Sequence, residues 1–205
     1  YNPGTGEIEV IYSAEVNVQF LHPDLVSTNE LRAKTYSPAF DPMLQNILMN
    51  PDSNRASLNR YPMSYLIITP PNFVNALQPF INWKTQEGYN VILATTTETG
   101  TTTSSIKTYI QNIWNSATTE NPAPSYLLIV GDVAQVPANP ASASPSGHIT
   151  DLTYVRLQGT DFMPEMYFGR FSATTEAEVT NQVNKTLMYE MYTMPSDAYL
   201  GEVVM

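Results

Sequence analysis

The sequence predicts an α/β protein in which a parallel sheet carries helices on both faces. Three short runs of apolar residues, at 65–69, 91–94 and 126–130, have the length and composition of buried strands. Segments with apolar residues at helical spacing separate these runs. Because strands that alternate with helices are typical of βαβ units, the three strands are expected to run parallel within one sheet.

The segments between the strands are predicted to form amphipathic helices. In the first segment the helical spacing is shown by Phe73, Leu77, Phe80, Ile81 and Lys84. A threonine-rich loop is predicted at residues 95–105, and the helix after it has apolar positions at Ile106, Tyr109, Ile110, Ile113 and Trp114. Each helix would place one apolar stripe against the sheet.

A further strand and helix are predicted after residue 160. Residues 166–168 have the apolar and aromatic composition of a strand. Thr175 and Glu178 have the spacing of a capping box, which indicates that a helix begins there. Pro195 lies just beyond the end of this helix, where it would not interrupt it.

The first 60 residues have a different pattern. From Ile8 to Phe20 apolar residues occupy the even positions and mostly polar residues the odd ones, which predicts a half-buried antiparallel strand. Residues 23–60 are rich in Pro, Ser, Asn and Asp. They are predicted to form a mostly extended connector with one weak helical stretch at 43–49.

Composition limits the class of protein. Of the 205 residues, 42% are hydrophobic and 14% are charged, which is typical of one large folded domain or of a small domain with an appendage. The net charge of −10 and the lack of a basic stripe argue against a nucleic-acid partner. The apolar runs are far shorter than the ~20 residues that cross a bilayer, so no membrane span is expected.

The chain contains no cysteine. Disulfides, thiolate metal sites and a cysteine nucleophile are therefore excluded from these 205 residues. The chain begins with Tyr1 rather than methionine, and residues 200–205 resemble the beginning of a strand. We therefore expect the sequence to be part of a longer protein.

Three carboxylates lie at turns near predicted strands. Asp132 follows Gly131 at the end of the strand at 126–130, and Asp161 and Glu165 lie beside the turn residue Gly159. Hard oxygen donors of this kind, together with backbone carbonyls, suit calcium, although their spacing is not that of an EF-hand. The alternative role for Asp132 is to cap a turn.

A histidine also lies near a carboxylate. Asp151 follows His148 by three residues, but the serines nearby lie in a loop without a strand-to-helix elbow. A solvated loop histidine is therefore the favoured interpretation. The sequence has no glycine-rich nucleotide-binding motif.

Short motifs follow one another in a definite order along the second part of the chain. They are the segments 82–88, 125–132, 136–138, 151–154, 159–161, 167–172 and 182–190. In order and spacing they resemble the catalytic domain of the gingipain-type cysteine peptidases, family C25, almost continuously over residues 61–205. The segment Tyr1-Asn2-Pro3 and the alternating run 8–20 resemble the end of the propeptide of that family.

The resemblance implies a caspase-like catalytic domain made of two α/β halves. Residues 61–205 would be the first half, truncated before the catalytic half, and residues 1–60 would be the C-terminal part of the propeptide with its connector. Family propeptides are removed after a basic residue and the mature enzyme begins at tyrosine, which places the cleavage between Arg60 and Tyr61. The catalytic histidine and cysteine of the family lie in the second half, so no catalytic residue is assigned here.

The resemblance also implies a structural calcium ion. Its ligands would be the side chains of Asp132, Asp161 and Glu165, and the backbone carbonyls of Gln158 and Met163. These positions match the Gly-Asp motif of the family and its Gly-x-Asp-x-x-x-Glu segment. No other cofactor is predicted.

The implied function is that of the N-terminal portion of a secreted or cell-surface cysteine endopeptidase, which is inactive by itself. Its partners would be protein or peptide substrates of the full enzyme and the remainder of the catalytic domain. Two alternatives stay open. A C25-type sortase would join secreted proteins rather than digest them, and a catalytically dead homologue would be a binding or scaffold module.

Overall fold

The computed structural model describes residues 1–8, 10, 12–13, 15–48, 62–140, 148–196 and 198. Its strands in chain order are β1 (Ser64–Thr69), β2 (Asn90–Thr95), β3 (Tyr126–Val130), β4 (Asn139–Pro140), β5 (Ile149–Thr150) and β6 (Tyr167–Phe171). β2, β1, β3 and β6 form one sheet in that order, and every neighbouring pair is parallel. β4 and β5 form a separate antiparallel pair. The predicted parallel sheet is confirmed.

Helices lie between most of the strands. They are α1 (Leu25–Thr35), α2 (Asp41–Ile47), α3 (Val74–Gln86), α4 (Thr96–Thr99), α5 (Thr103–Asn115), α6 (Leu152–Val155) and α7 (Glu176–Glu190). The threonine-rich segment 95–105 is more ordered than the predicted loop. It contains α4, and both Thr95 and Thr102 open capping boxes. The Glu98 carboxylate accepts from the Thr95 N–H at 2.7 Å, and the Thr102 hydroxyl accepts from the Ser105 N–H at 3.1 Å.

The two faces of the sheet are covered by different helices. Leu66 and Ile68 of β1 point to one face, where they pack in a cluster with Ile106 and Ile110 of α5. Ile67, between them in sequence, points to the other face and joins a cluster that includes residues of α3 and α7. Alternation of side chains along a strand requires this arrangement when the strand is buried on both sides. The predicted helices on both faces are confirmed.

The capping box predicted at Thr175 is also confirmed. The Glu178 carboxylate accepts hydrogen bonds from the N–H groups of Thr174 at 2.6 Å and Thr175 at 3.1 Å. The backbone and hydroxyl bonds from Thr174 are the main reason that the pKa of Glu178 lies below its usual value. The acidic first turn of α7 is therefore held in its charged form next to the positive end of the helix dipole.

The half-buried strand predicted at residues 8–20 is wrong for the residues that the structure describes. Tyr12 and Phe20 are 94% and 79% exposed, and the described positions between them have no regular secondary structure. An antiparallel bridge joins Asn2 and Glu7 near the start of the chain. The alternating pattern supplies an apolar face, but a strand forms only when a neighbouring strand accepts and donates its backbone hydrogen bonds.

The connector predicted at residues 23–60 is more helical than expected. α1 replaces an extended stretch, and its first turn is held by Asp24, whose carboxylate accepts from the Ser27 N–H at 3.0 Å. α2 coincides with the predicted helical stretch near residues 43–49. The cleavage site predicted at Arg60 and Tyr61 and the strand predicted at 200–205 lie outside the described residues.

A buried ammonium group joins α3 to α7 on one face of the sheet. Lys84 Nζ lies 2.8 Å from carboxylate oxygens of both Glu87 and Glu190, and its side chain is 9% exposed. Trp83 Nε1 donates to Glu190 at 2.7 Å. Glu190 of α7 therefore connects the two helices.

We expect Glu190→Gln to destabilise the chain by about 1.5–3 kcal/mol, because it replaces charge-assisted bonds to a buried ammonium group with neutral ones. Urea unfolding followed by circular dichroism measures this change. The exposed Glu120 serves as the matched control, and Glu120→Gln should shift the free energy of unfolding by less than about 0.5 kcal/mol. Equal effects of the two substitutions would contradict the role of this cluster.

Candidate functional site at the carboxyl end of the sheet

The carboxyl ends of the parallel strands meet at one edge, where such folds bind ligands. β3 ends in a sharp turn at Gly131, whose φ is +123° and whose added Cβ would lie 2.9 Å from Gln135 Cβ. Only glycine fits this exit without strain. Beyond the turn, the Asp132 N–H donates to Ala173 O at 2.8 Å, so the chains leaving β3 and β6 stay paired past the ends of the strands.

Arg170 of β6 fixes the residues around this exit. Its guanidinium binds both carboxylate oxygens of Asp151, at 2.8 and 2.7 Å. It also donates to the carbonyls of Gly131 at 2.7 Å and Val136 at 2.9 Å. The side chains of Arg170 and Asp151 are 14% and 13% exposed. A planar guanidinium can satisfy four such acceptors at once, so this pair holds the loop after β3 against β6.

The side chains of Tyr154 and Lys107 bind backbone carbonyls in the segments that follow β3 and α6. The buried Tyr154 donates its hydroxyl to Pro137 O at 2.5 Å, and burial raises the pKa of Tyr154 to about 12. Lys107 of α5 donates to Arg156 O at 2.5 Å and to Tyr154 O at 3.4 Å. Burial lowers the pKa of Lys107. The hydroxyl and the ammonium group thus satisfy carbonyls that would otherwise be poorly solvated.

The loop at residues 156–165 is organised around its own arginine. The Arg156 guanidinium donates to the carbonyls of Asp161 at 2.6 Å and Thr160 at 3.1 Å, and it lies 4.6 Å from the centre of the Phe162 ring. Gly159 has φ +70°, which permits the tight turn. The Arg156 guanidinium therefore binds two carbonyl oxygens of the same loop in which calcium ligands are predicted.

The three carboxylates that were predicted to bind calcium each accept a hydrogen bond from a different donor. Asp161 Oδ1 accepts from the Met163 N–H at 2.8 Å, and Glu165 Oε2 accepts from the Leu157 N–H at 2.5 Å. The third carboxylate, of Asp132 beyond β3, accepts from the Ser172 hydroxyl at 3.1 Å.

The donor chemistry suits calcium, which prefers six to eight oxygens, but the carboxylates are not gathered around one point. Among the described residues, no three Asp, Glu, His or Cys side chains are grouped so that they could hold a metal ion. Asp161 and Glu165 share one loop with the carbonyls of Gln158 and Met163, whereas Asp132 belongs to the exit of β3. Calcium therefore stays a prediction.

The sequence neighbours His148 and Asp151 do not form a catalytic pair. His148 is exposed, and both carboxylate oxygens of Asp151 accept hydrogen bonds from Arg170. Sequence reasoning did not identify the Arg170 and Asp151 pair as part of this edge. The available signal was a cation in an otherwise aromatic and apolar strand, which implies a buried partner.

Comparisons with known proteins agree with this fold and with these motifs. A family model described as peptidase family C25 matches residues 59–205. Lys-gingipain W83 of Porphyromonas gingivalis is 33% identical over 209 residues, and gingipain R2 of the same organism is 24% identical over 208 residues. Both alignments cover 100% of this chain, but they cover only 12% and 27% of those relatives.

Solved structures show the same relationship. A chain described as "Structure of Protease" has 34% sequence identity and a TM-score of 0.62, and the alignment covers 72% of this chain and 33% of that one. The structure titled "Complex of Porphyromonas gingivalis RgpB pro- and mature domains" has a TM-score of 0.55 at 24% identity, covering 62% of this chain and 29% of that one, and shares the fold. The chain therefore belongs to peptidase family C25 and is of the gingipain type.

Proposed function

We propose that this chain is the N-terminal portion of a secreted or cell-surface cysteine endopeptidase. The observation that carries the proposal is its membership of family C25, with 33% identity to a Lys-gingipain across the whole chain. Because these 205 residues contain no cysteine, the nucleophile must come from another part of the protein. No helix in the described part of the chain is long and apolar enough to cross a membrane.

The role of residues 61–205 in that enzyme is to form the first half of the catalytic domain. Thiolate attack on a peptide carbonyl requires the reacting groups to be held in place. Arg170 donates two hydrogen bonds to carbonyls of the loop after β3 and two to the Asp151 carboxylate, so the carboxyl edge of the sheet is a well-fixed base for such groups. Protein or peptide substrates and the remainder of the catalytic domain would be the partners of this edge.

We expect residues 1–205 alone to hydrolyse neither casein nor peptide esters of lysine or arginine above the buffer rate. The full-length protein should hydrolyse casein, and alkylation with iodoacetamide should remove that activity because the nucleophile is a thiolate. Product release measured with and without iodoacetamide tests both expectations. Activity of the full-length protein that survives alkylation would contradict the proposal.

The same assay separates the alternative functions. Acyl transfer to an added amine in preference to hydrolysis would identify a sortase. Absence of turnover together with absence of a reactive thiol would identify a dead homologue that acts as a binding or scaffold module.

We also propose that maturation cleaves the bond between Arg60 and Tyr61, with residues 1–60 acting as the end of a propeptide. N-terminal sequencing of the secreted protein should then begin at Tyr61. Arg60→Ala should block this cleavage if an arginine-specific peptidase performs it. Arg55, in the same connector, provides the matched control, and Arg55→Ala should leave the mature N-terminus unchanged. Cleavage at the same bond in Arg60→Ala would exclude an arginine-specific route.

We propose, finally, that a structural calcium ion draws Asp132, Asp161 and Glu165 together, with help from the carbonyls of Gln158 and Met163. The support is the type of donor, since all five are hard oxygens. Three carboxylates that converge without a cation would repel one another, so convergence requires the ion.

Calcium at 100 times its dissociation constant should stabilise the chain by about 2.7 kcal/mol, or raise Tm by ~5–10 °C. Asp161→Asn should abolish that rise, because it removes the charge but keeps an acceptor for the Met163 N–H. Glu120→Gln, an exposed control, should keep it. Differential scanning calorimetry with calcium and with a chelator measures the shift in Tm. If neither calcium nor the chelator changes the Tm of the wild-type chain, the proposed calcium site is refuted.

A further inference from the structure

The elbow between α1 and α2, residues 34–41, contains buried and half-buried residues although most of the region before it is exposed. α1 has no buried residue, and Phe20 is 79% exposed. In the elbow, by contrast, Tyr36 is 8% exposed and Asp41 is 5% exposed. Burial that is confined to one short stretch indicates where the N-terminal region is attached to the sheet domain.

Three interactions of different kinds attach the elbow. The Ala123 N–H donates to Lys34 O at 2.9 Å. The hydroxyl of Ser37 donates to that of Ser125 at 2.8 Å. The ring of Phe40 stacks on that of Tyr167, with centroids 4.2 Å apart and planes 12° apart. Together they fix a backbone segment, a hydroxyl and an aromatic plane, which defines one orientation of the elbow.

All three partners lie at the amino ends of the strands. Ser125 immediately precedes β3, and Tyr167 is the first residue of β6. Tyr65, Tyr126 and Tyr167 are in register across β1, β3 and β6, and their rings form a stacked row with centroid separations of 5.4 and 5.8 Å. The Phe40 ring lies next to Tyr167 and lengthens this row by one ring at the edge strand.

We propose that the amino end of the sheet is a docking surface for the elbow of the same chain, and that this contact anchors the N-terminal region. Since parallel strands place all amino ends on one side, the anchor lies at the end of the sheet opposite to the exit of β3 and its Arg170 cluster. The loop 156–165, which leads into β6, lies beside the anchor, and its residues Gln158 and Met163 line one cavity with Phe40. The N-terminal region is thus held without occupying the carboxyl edge. This inference does not depend on peptidase activity.

Phe40→Ala removes the stacked ring from the anchor, and amide hydrogen exchange of the intact chain reports the result. The amide of Ala123 and those of Leu44 and Leu48, which close the turns of α2, should exchange at least about tenfold faster, equivalent to ~1.4 kcal/mol. The amides of Gly131 and Asp132 at the carboxyl edge should keep their rates.

Phe20→Ala is the matched control because it removes the same side chain from an exposed position in the same region. It should leave all five amides unchanged. Ser37→Ala, which deletes only a hydroxyl, should accelerate the Ala123 amide in the same direction as Phe40→Ala. It provides a second test in a variant with an intact aromatic row.

Two results would overturn the inference. Unchanged exchange at Ala123 in Phe40→Ala would mean that the stack does not anchor the elbow. Faster exchange at Gly131 and Asp132 in the same variant would mean that the two ends of the sheet open as one unit, so that the anchor is not separate from the candidate site.

Discussion

The two central strands, β1 and β3, are buried on both faces, and the rest of the structure depends on this constraint. Leu66, Ile67 and Ile68 are 0% exposed, although successive side chains point to opposite faces. Each fully buried side chain of this size stabilises the fold by roughly 1.5–3 kcal/mol, so neither face can be left in water. Helices must cover both faces, and parallel pairing allows this because each crossover returns the chain over one face.

In a parallel sheet of this kind, the backbone polar groups inside the strands differ in their hydrogen bonding from those at the strand ends. Carbonyls and N–H groups within the strands are paired along the ladder, whereas those at the exits are not, and a partner must be supplied there. Arg170 supplies it for Gly131 and Val136, and Asp151 balances its charge. Lysine at this position has no planar fork and would leave some of these acceptors without a donor. In this chain the Arg170–Asp151 pair thus fixes the carboxyl edge of the sheet.

Sequence patterns predicted the elements that depend on local order along the chain. The strand at 126–130, the helix face around Ile106 and the capping box at Thr175 all arise from residues close in sequence, and the structure contains each of them. The strand at 8–20 failed because a strand depends on a partner that local alternation does not supply. The Arg170 and Asp151 pair was missed for the same reason, since 19 residues separate its members.

The two ends of the sheet are stabilised by different physical interactions, and this difference bears on function. Aromatic rings stack at the amino end, where Tyr126 and Tyr167 lie side by side and the Phe40 ring continues the row. The contacts among Tyr65, Tyr126 and Tyr167 do not involve the Phe40 ring, so loss of that ring removes the elbow's stacking partner and leaves the tyrosine row in place. The carboxyl end depends on one arginine whose four acceptors would all lose their donor together. The contacts that hold the N-terminal region at the aromatic end are therefore separate from the hydrogen bonds of Arg170 at the polar end.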